Sequence, residues 1–280
     1  MKTIIFTSKN HIFANKAIKE LFLEKELDII CIIESSILYP GKNTLEALFF
    51  FISKSGVSYT LFQIAKFLFF SIGKNIYSFF HFEKENSIFF PYQVIARKKN
   101  IPIVSSNNIN NPLLVKYLRR KKPDIFVSLF VNQIFRLNLL SIAALGTINM
   151  HPSFLPSYRG LSPTVWVLAH NKKTTGVTIH KITDEKVDAG IILAQKKITV
   201  KKTDTEYHLY WRCVLEGIPL LKKILRKIKK GEKFKGEKNA RTKQSYYSYP
   251  TKKAIKNFKK NGRKLIEFKE LFYTYQDFVK

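Results

Sequence analysis

Apolar positions follow two rhythms along this chain. Residues 3–7 are a short β-rich run, and over residues 14–24 Ala14, Ala17, Ile18, Leu21 and Phe22 fall on one face at helical spacing. Residues 27–33, LDIICII, are a continuous apolar run of strand length. Strand, helix and buried strand in that order open a parallel α/β sheet. The rhythm breaks over residues 37–90, which are aromatic-rich and lack strand alternation. Two segments there, ALFFFISKSG and TLFQIAKFLFFSIG, predict two helices, each closed by a glycine.

The α/β rhythm resumes at residue 91. PYQVIARKKN reads as a helix end, IPIV as a short strand, and NPLLVKYLRRKKP as a helix whose basic last turn suits the dipole. DIFVSLF is a buried strand, LNLLSIAAL a helix stopped by Gly146, and TINM the next strand. A short helix over 162–170 starts at Ser162-Pro163. TGVTIHKI and GIILAQKKITV alternate as strands. Residues 204–229 predict a long amphipathic helix with Asp204 in its first turn. The remaining residues are basic and polar, and predict an extended arm followed by one short helix. The expected fold is α/β: a Rossmann-like, doubly wound, mostly parallel sheet with helices on both faces. The expected division is a catalytic domain over 1–200 with a helical insertion at 37–90, a packing helix over 201–230, and a basic C-terminal extension over 231–280.

Charge changes the picture next. With 49 Lys and Arg against 20 Asp and Glu, the net charge is +29. Such a balance favours anionic partners, whether nucleic acid, a phosphorylated small molecule or an anionic membrane surface; an AT-rich codon bias is the alternative source of the lysines. Cys31 and Cys213 stand in no metal-binding spacing. No disulfide framework is implied, so a reducing cytoplasm is expected. The apolar stretch of 37–90 is interrupted by Lys66 and falls short of the roughly 18–20 residues that span a bilayer. A helical hairpin packed on the core is expected there, with peripheral contact at the inner membrane face as the alternative.

The chemistry concentrates in INMHPSFLPSYRGLSP, residues 148–163. The strand 147–150 ends at Asn149-Met150-His151, and ligands bind at the carboxyl ends of strands in open α/β sheets. Asn149 and His151 are two apart and project to one side of a strand. Pro152 and Pro156 predict an extended, helix-free loop beyond them. In HKITDEKVDAGIIL, residues 180–193, a strand, a charged loop and a second strand bring Asp188 back to the sheet edge. A histidine beside a carboxylate is expected to have a raised pKa.

These motifs together resemble the core of the 10-formyltetrahydrofolate-dependent formyltransferases: Asn-x-His, a Ser-x-Leu-Pro segment and a downstream Asp-x-Gly, in that order. Glycinamide ribonucleotide, methionyl-tRNA and sugar N-formyltransferases belong to that family. The resemblance is strong over 122–200, weaker over 1–35 and 91–121, and absent over 37–90. It implies Asn149, His151 and Asp188 as the catalytic trio, with Asn149 and a protonated His151 on the oxyanion and Asp188 keeping His151 charged. It implies a folate slot at Asn132, Gln133, Ile134 and Phe135 and at Thr183, Asp184 and Val187, with apolar side chains such as Ile134 and Phe135 lining it. Arg159 and Gly160 are implied on the acceptor side. The resemblance implies 10-formyltetrahydrofolate as the donor and no need for a metal. His180 stands near this region, and a role in the site is balanced against that of an ordinary strand histidine.

Three departures bear on the acceptor. The segment after strand one, FTSKNHIF, lacks the glycine of a ribonucleotide-type phosphate loop. The stretch after the long helix shows no multi-strand pattern like the OB-type domain of tRNA-acting members. The insertion at 37–90 belongs to neither. A nucleotide- or lipid-linked amino sugar is therefore the expected acceptor. Methionyl-tRNA is the alternative, followed by glycinamide ribonucleotide, a formyltetrahydrofolate hydrolase and a non-catalytic folate-binding module. The oligomeric state is left open.

Overall fold

The computed structural model describes residues 1–35, 43–80, 87–232, 237–238 and 244–278. The chain opens β1 (Lys2–Ser8), α1 (Ile12–Leu21), β2 (Asp28–Ser35), then a helical hairpin α2 (Thr44–Ser55) and α3 (Val57–Phe79). It continues α4 (Tyr92–Lys98), β3 (Ile103–Ser106), α5 (Pro112–Lys121), β4 (Ile125–Leu129), α6 (Leu137–Leu140) and β5 (Thr147–His151). Then come β6 (Arg159–Gly160), α7 (Pro163–Ala169), β7 (Thr174–Ile182), β8 (Ile191–Thr199) and α8 (Glu206–Lys229). Two short strands, β9 (Glu237–Lys238) and β10 (Tyr246–Tyr247), precede α9 (Lys252–Lys260) and a 3-10 turn at Phe268–Phe272.

The main sheet runs β3-β2-β1-β4-β5-β7-β8-β9. The first five strands are mutually parallel, and β7, β8 and β9 add antiparallel pairings. The order turns back between β1 and β4, the switch point at which such sheets open a crevice. Period-2 alternation splits β1 between two cores. Ile5 packs in the core shared with α1, α7 and α8, and Ile4 and Phe6 in the core shared with α5. Helices thus cover both faces, as expected.

Local chemistry sets the element ends. The α1 cap is His11, whose Nδ1 accepts from the Ala14 amide at 3.4 Å. Asn43 and Glu46 form a capping box on α2. Asn111 caps α5, with Pro112 in its first turn and left-handed Lys122 at its end. Thr205 and Thr251 cap α8 and α9.

Several boundaries differ from expectation. Helix α3 runs through Gly73, whose missing side chain lets the Phe89 ring lie against the helix; packing overrides the stop signal there. The helix expected over LNLLSIAAL is one turn, Leu137–Leu140. Asp204 lies before the α8 cap, where its carboxylate accepts from the Lys201 amide at 2.7 Å and pairs with Arg212 at 2.8 Å.

Candidate active site

Strands β5 and β7 run antiparallel with Asn149 directly opposite His180 and His151 opposite Thr178. Opposed residues project to the same face. His180, balanced between two roles in the sequence, therefore sits beside Asn149: their Nδ2 and Nε2 atoms are 2.9 Å apart, and His180 is 1% exposed. The β7–β8 connection returns Asp188 to the same place, as predicted. Asp188 has a left-handed backbone, φ 47°. Two residues on, a Cβ at Gly190 would lie 1.8 Å from the Lys181 carbonyl oxygen. That close approach requires the glycine of the Asp-x-Gly pattern.

Asp188 gathers the site. Its Oδ1 accepts from Asn149 Nδ2 at 3.3 Å and lies 3.3 Å from His180 Nε2. Its Oδ2 lies 3.4 Å from His151 Nδ1 and accepts the Gly160 N–H at 2.9 Å. Burial opposes the charge on Asp188, but His151, His180 and the Gly160 amide outweigh it and hold the carboxyl below its ordinary range. His151 donates from Nε2 to the Tyr158 carbonyl at 2.9 Å. The raised pKa expected for His151 is not found. Burial pushes this imidazole below its ordinary value, and Asp188 and the Tyr158 carbonyl restore only part of the shift.

The loop after His151 is a run of turns latched onto neighbouring strands rather than the extended segment expected. Thr178 Oγ1 donates to the Ser153 carbonyl at 2.7 Å and accepts from the Leu155 amide at 3.1 Å. Gln195 Nε2 donates to the Leu155 carbonyl at 2.8 Å. The loop ends in β6, which pairs with β10 of the C-terminal arm. Ser245 Oγ accepts from the Tyr158 amide at 2.8 Å, Trp166 Nε1 donates to the Ser248 carbonyl at 3.0 Å, and the Trp166 and Tyr247 rings stack with centroids 4.5 Å apart. Position along the chain gave no sign that the arm reaches this loop.

Arg159 and Gly160 stand between the arm and Asp188. The Arg159 guanidinium donates to the Val187 carbonyl at 2.8 Å and to Gln244 Oε1 at 2.9 Å. Gly160 has φ +95°, and a Cβ there would meet the Tyr247 carbonyl oxygen at 2.1 Å. Both residues brace the site in this structure.

The two loops expected to hold the donor do meet. The Arg136 guanidinium pairs with Glu185, whose other oxygen accepts the Leu137 amide at 3.1 Å. Asn132 Oδ1 is buried without a hydrogen-bond partner, as a group awaiting a ligand's donor would be. Ile134 is 43% exposed and suits a slot lining. Phe135 does not: it is buried and packs edge-on against Phe6, ring centroids 5.1 Å apart. Its alternation partner in the loop takes the outward place. The Gln133 side chain is spent on the preceding loop, accepting from the Ile109 amide at 3.0 Å and donating to the Asn107 carbonyl at 3.1 Å. Thr183 is exposed. Asp184 Oδ1 accepts the Lys186 amide at 2.9 Å in a local turn. Among the described residues no group of His, Cys, Asp or Glu could hold a metal ion.

A profile described as formyl transferase matches residues 79–223, just over half of the chain. The chain belongs to the formyl transferase family. It is 42% identical over 135 residues to the bifunctional polymyxin resistance protein ArnA of Wigglesworthia glossinidia brevipalpis, a match covering 48% of this chain and 20% of that protein. The chain thus spans about a fifth of that relative. The fold is similar to an N-formyltransferase of Helicobacter canadensis solved with folinic acid and dTDP-3-aminofucose, with TM-score 0.58 and 19% identity over 96% of this chain and 82% of that one. It is also similar to a sugar N-formyltransferase of a Shewanella species, with TM-score 0.54 and 20% identity over 89% of this chain and 77% of that one.

Proposed function

We propose that this formyltransferase moves the formyl group of 10-formyltetrahydrofolate to the primary amine of an anionic amino sugar, using Asn149, His151 and Asp188. The observation that carries this reading is the Asp188 carboxylate, held beside both Asn149 and His151 at the carboxyl ends of β5 and β7. The amine attacks the formyl carbon and negative charge develops on the carbonyl oxygen. Asn149 Nδ2 is the donor suited to that oxygen, and a protonated His151 places positive charge beside it. His151 takes up the proton that the attacking amine loses, and Asp188 beside it favours the imidazolium. With its depressed pKa, Asp188 is a fixed negative charge rather than a strong base. It orients the attacking amine, and the proton taken up by His151 passes through water to the leaving nitrogen.

Two features favour an amino sugar. The solved neighbours named above are a sugar N-formyltransferase and an N-formyltransferase solved with an amino-sugar nucleotide. In addition, the loop after β1 is committed to the hairpin: Asn10 Nδ2 donates to Ser71 Oγ at 3.2 Å, and Lys74 donates to Asn10 Oδ1. A ribonucleotide phosphate needs such a loop free. Steady-state release of tetrahydrofolate, followed by absorbance, tests the reading against amino-sugar nucleotides, glycinamide ribonucleotide and methionyl-tRNA. Release dependent on an amino sugar supports it. Release with tRNA alone, or without any amine, refutes it in favour of a tRNA-acting enzyme or a hydrolase.

A further inference from the structure

Helix α3 wears its polarity inside out. Its two lysines turn toward the protein: Lys74 donates to Asn10, and Lys66 Nζ sits 5.5 Å from the Phe13 ring centroid and 5.1 Å from that of Phe62. The outward face carries Leu61, Ile64, Leu68, Ile72, Ile76 and Phe79, spaced three and four apart as one helical face requires. Leu61 is 58% exposed, Ile72 55% and Phe79 76%. At 23 residues the helix is about 34 Å long. Leu45 and Phe49 of α2 are exposed as well. An apolar strip of this length on a protein surface marks an interaction site.

Helix α9 lies against the same hairpin. Ser55 Oγ donates to the Pro250 carbonyl at 2.6 Å, and the Phe51 and Tyr249 rings meet edge-on at 4.7 Å. Ala254, Ile255 and Phe258 anchor α9, while all five of its lysines, Lys252, Lys253, Lys256, Lys259 and Lys260, are exposed. No helix among the described residues is long and apolar enough to cross a membrane. An exposed apolar helix face with a lysine-studded helix beside it is the pairing that seats an element along an anionic bilayer surface. A second copy of the chain fits less well, because two molecules of charge +29 would bring like charges together at this face.

We propose that the α2–α3 hairpin and α9 form a docking surface for an anionic lipid bilayer. The apolar face of α3 enters the interfacial layer and the α9 lysines meet the headgroups. Tyr59 of α3 bonds Ser162 Oγ at 2.9 Å, two residues beyond Gly160. Under the acceptor reading above, that contact sets the acceptor loop near the bilayer and suits a lipid-linked amine; the lipid-binding test does not depend on it.

The test is co-sedimentation of the full chain with vesicles of phosphatidylethanolamine and phosphatidylglycerol, beside vesicles of phosphatidylcholine alone. Two variants accompany it: Leu61→Ser with Leu68→Ser and Ile72→Ser, and Lys253→Glu with Lys256→Glu. All five positions are exposed, and circular dichroism checks that each variant stays folded. The wild type should bind the anionic vesicles, with affinity falling about 10-fold or more in either variant and falling again as salt is raised. Absence of binding to anionic vesicles, or unchanged binding in both folded variants, overturns the proposal. So does a solution dimer that the serine variant splits, since a second copy would then cover the face.

Discussion

His180 Nε2 lies 3.3 Å from Asp188 Oδ1, on the opposite carboxylate oxygen from the one that faces His151. Asp188 is thereby fixed from two sides, and its angle to His151 depends on a residue outside the trio. His180→Gln should lower kcat about 10-fold or more while leaving KM for the amine within about 2-fold. A general loss of structure would instead move both constants and the melting temperature.

Within the trio the losses should be larger. Asp188→Asn removes the charge that favours the His151 imidazolium and should cost about 10²–10⁴ in kcat. Asn149→Ala removes one donor to the developing oxyanion and should cost about 10²–10³ in kcat. Single-turnover measurements with saturating donor separate these effects from binding.

Gly160 couples the arm to the trio, since its N–H reaches Asp188 while β10 covers its α-carbon. Gly160→Ala cannot keep both contacts. It should destabilise the fold by about 1–3 kcal/mol, the usual cost of such backbone strain, and weaken activity. Paired thermal melts and rate measurements check this. A variant with wild-type stability and rate would show the Tyr247 contact to be dispensable.

Much of this site was legible in the sequence because its logic is local. Asn149 and His151 are separated by one strand period, and Asp188 sits in a loop between two alternating runs. The sheet rhythm likewise followed from short apolar runs and capping residues. His180 could not be assigned, because its position beside Asn149 depends on antiparallel register, which is set by tertiary packing. Phe135 departs from the expected slot lining for a related reason: the core around Phe6 claims this loop aromatic, and that packing is tertiary. The pKa of His151 shifts in the direction opposite to expectation because a neighbouring carboxylate is visible in sequence, whereas burial is not.

Acid should destabilise the protein through its buried histidines. His11 is pushed down to about 3 from its ordinary 6.5 by burial, with Lys66 adding to the shift, and burial lowers His151 in the same direction. Below pH 6.5 the unfolded chain takes up protons that the folded chain refuses. Stability from these groups is therefore complete above pH 6.5 and declines as pH falls toward about 3 for His11. His11→Asn keeps a side-chain cap on α1 without the titration. Its melting temperature should drop less than that of the wild type between about pH 7 and about pH 5, the interval in which an ordinary histidine titrates.

The central claim is formyl transfer to an amino sugar by Asn149, His151 and Asp188. Its most direct measurement is mass spectrometry of an amino-sugar nucleotide incubated with 10-formyltetrahydrofolate and the full chain, wild type beside His151→Ala and Asp188→Asn. The account predicts that the sugar gains the mass of one formyl group with the wild type and stays unmodified with either variant over the same time. A sugar left unmodified by the wild type, or formylated equally by all three proteins, would contradict it.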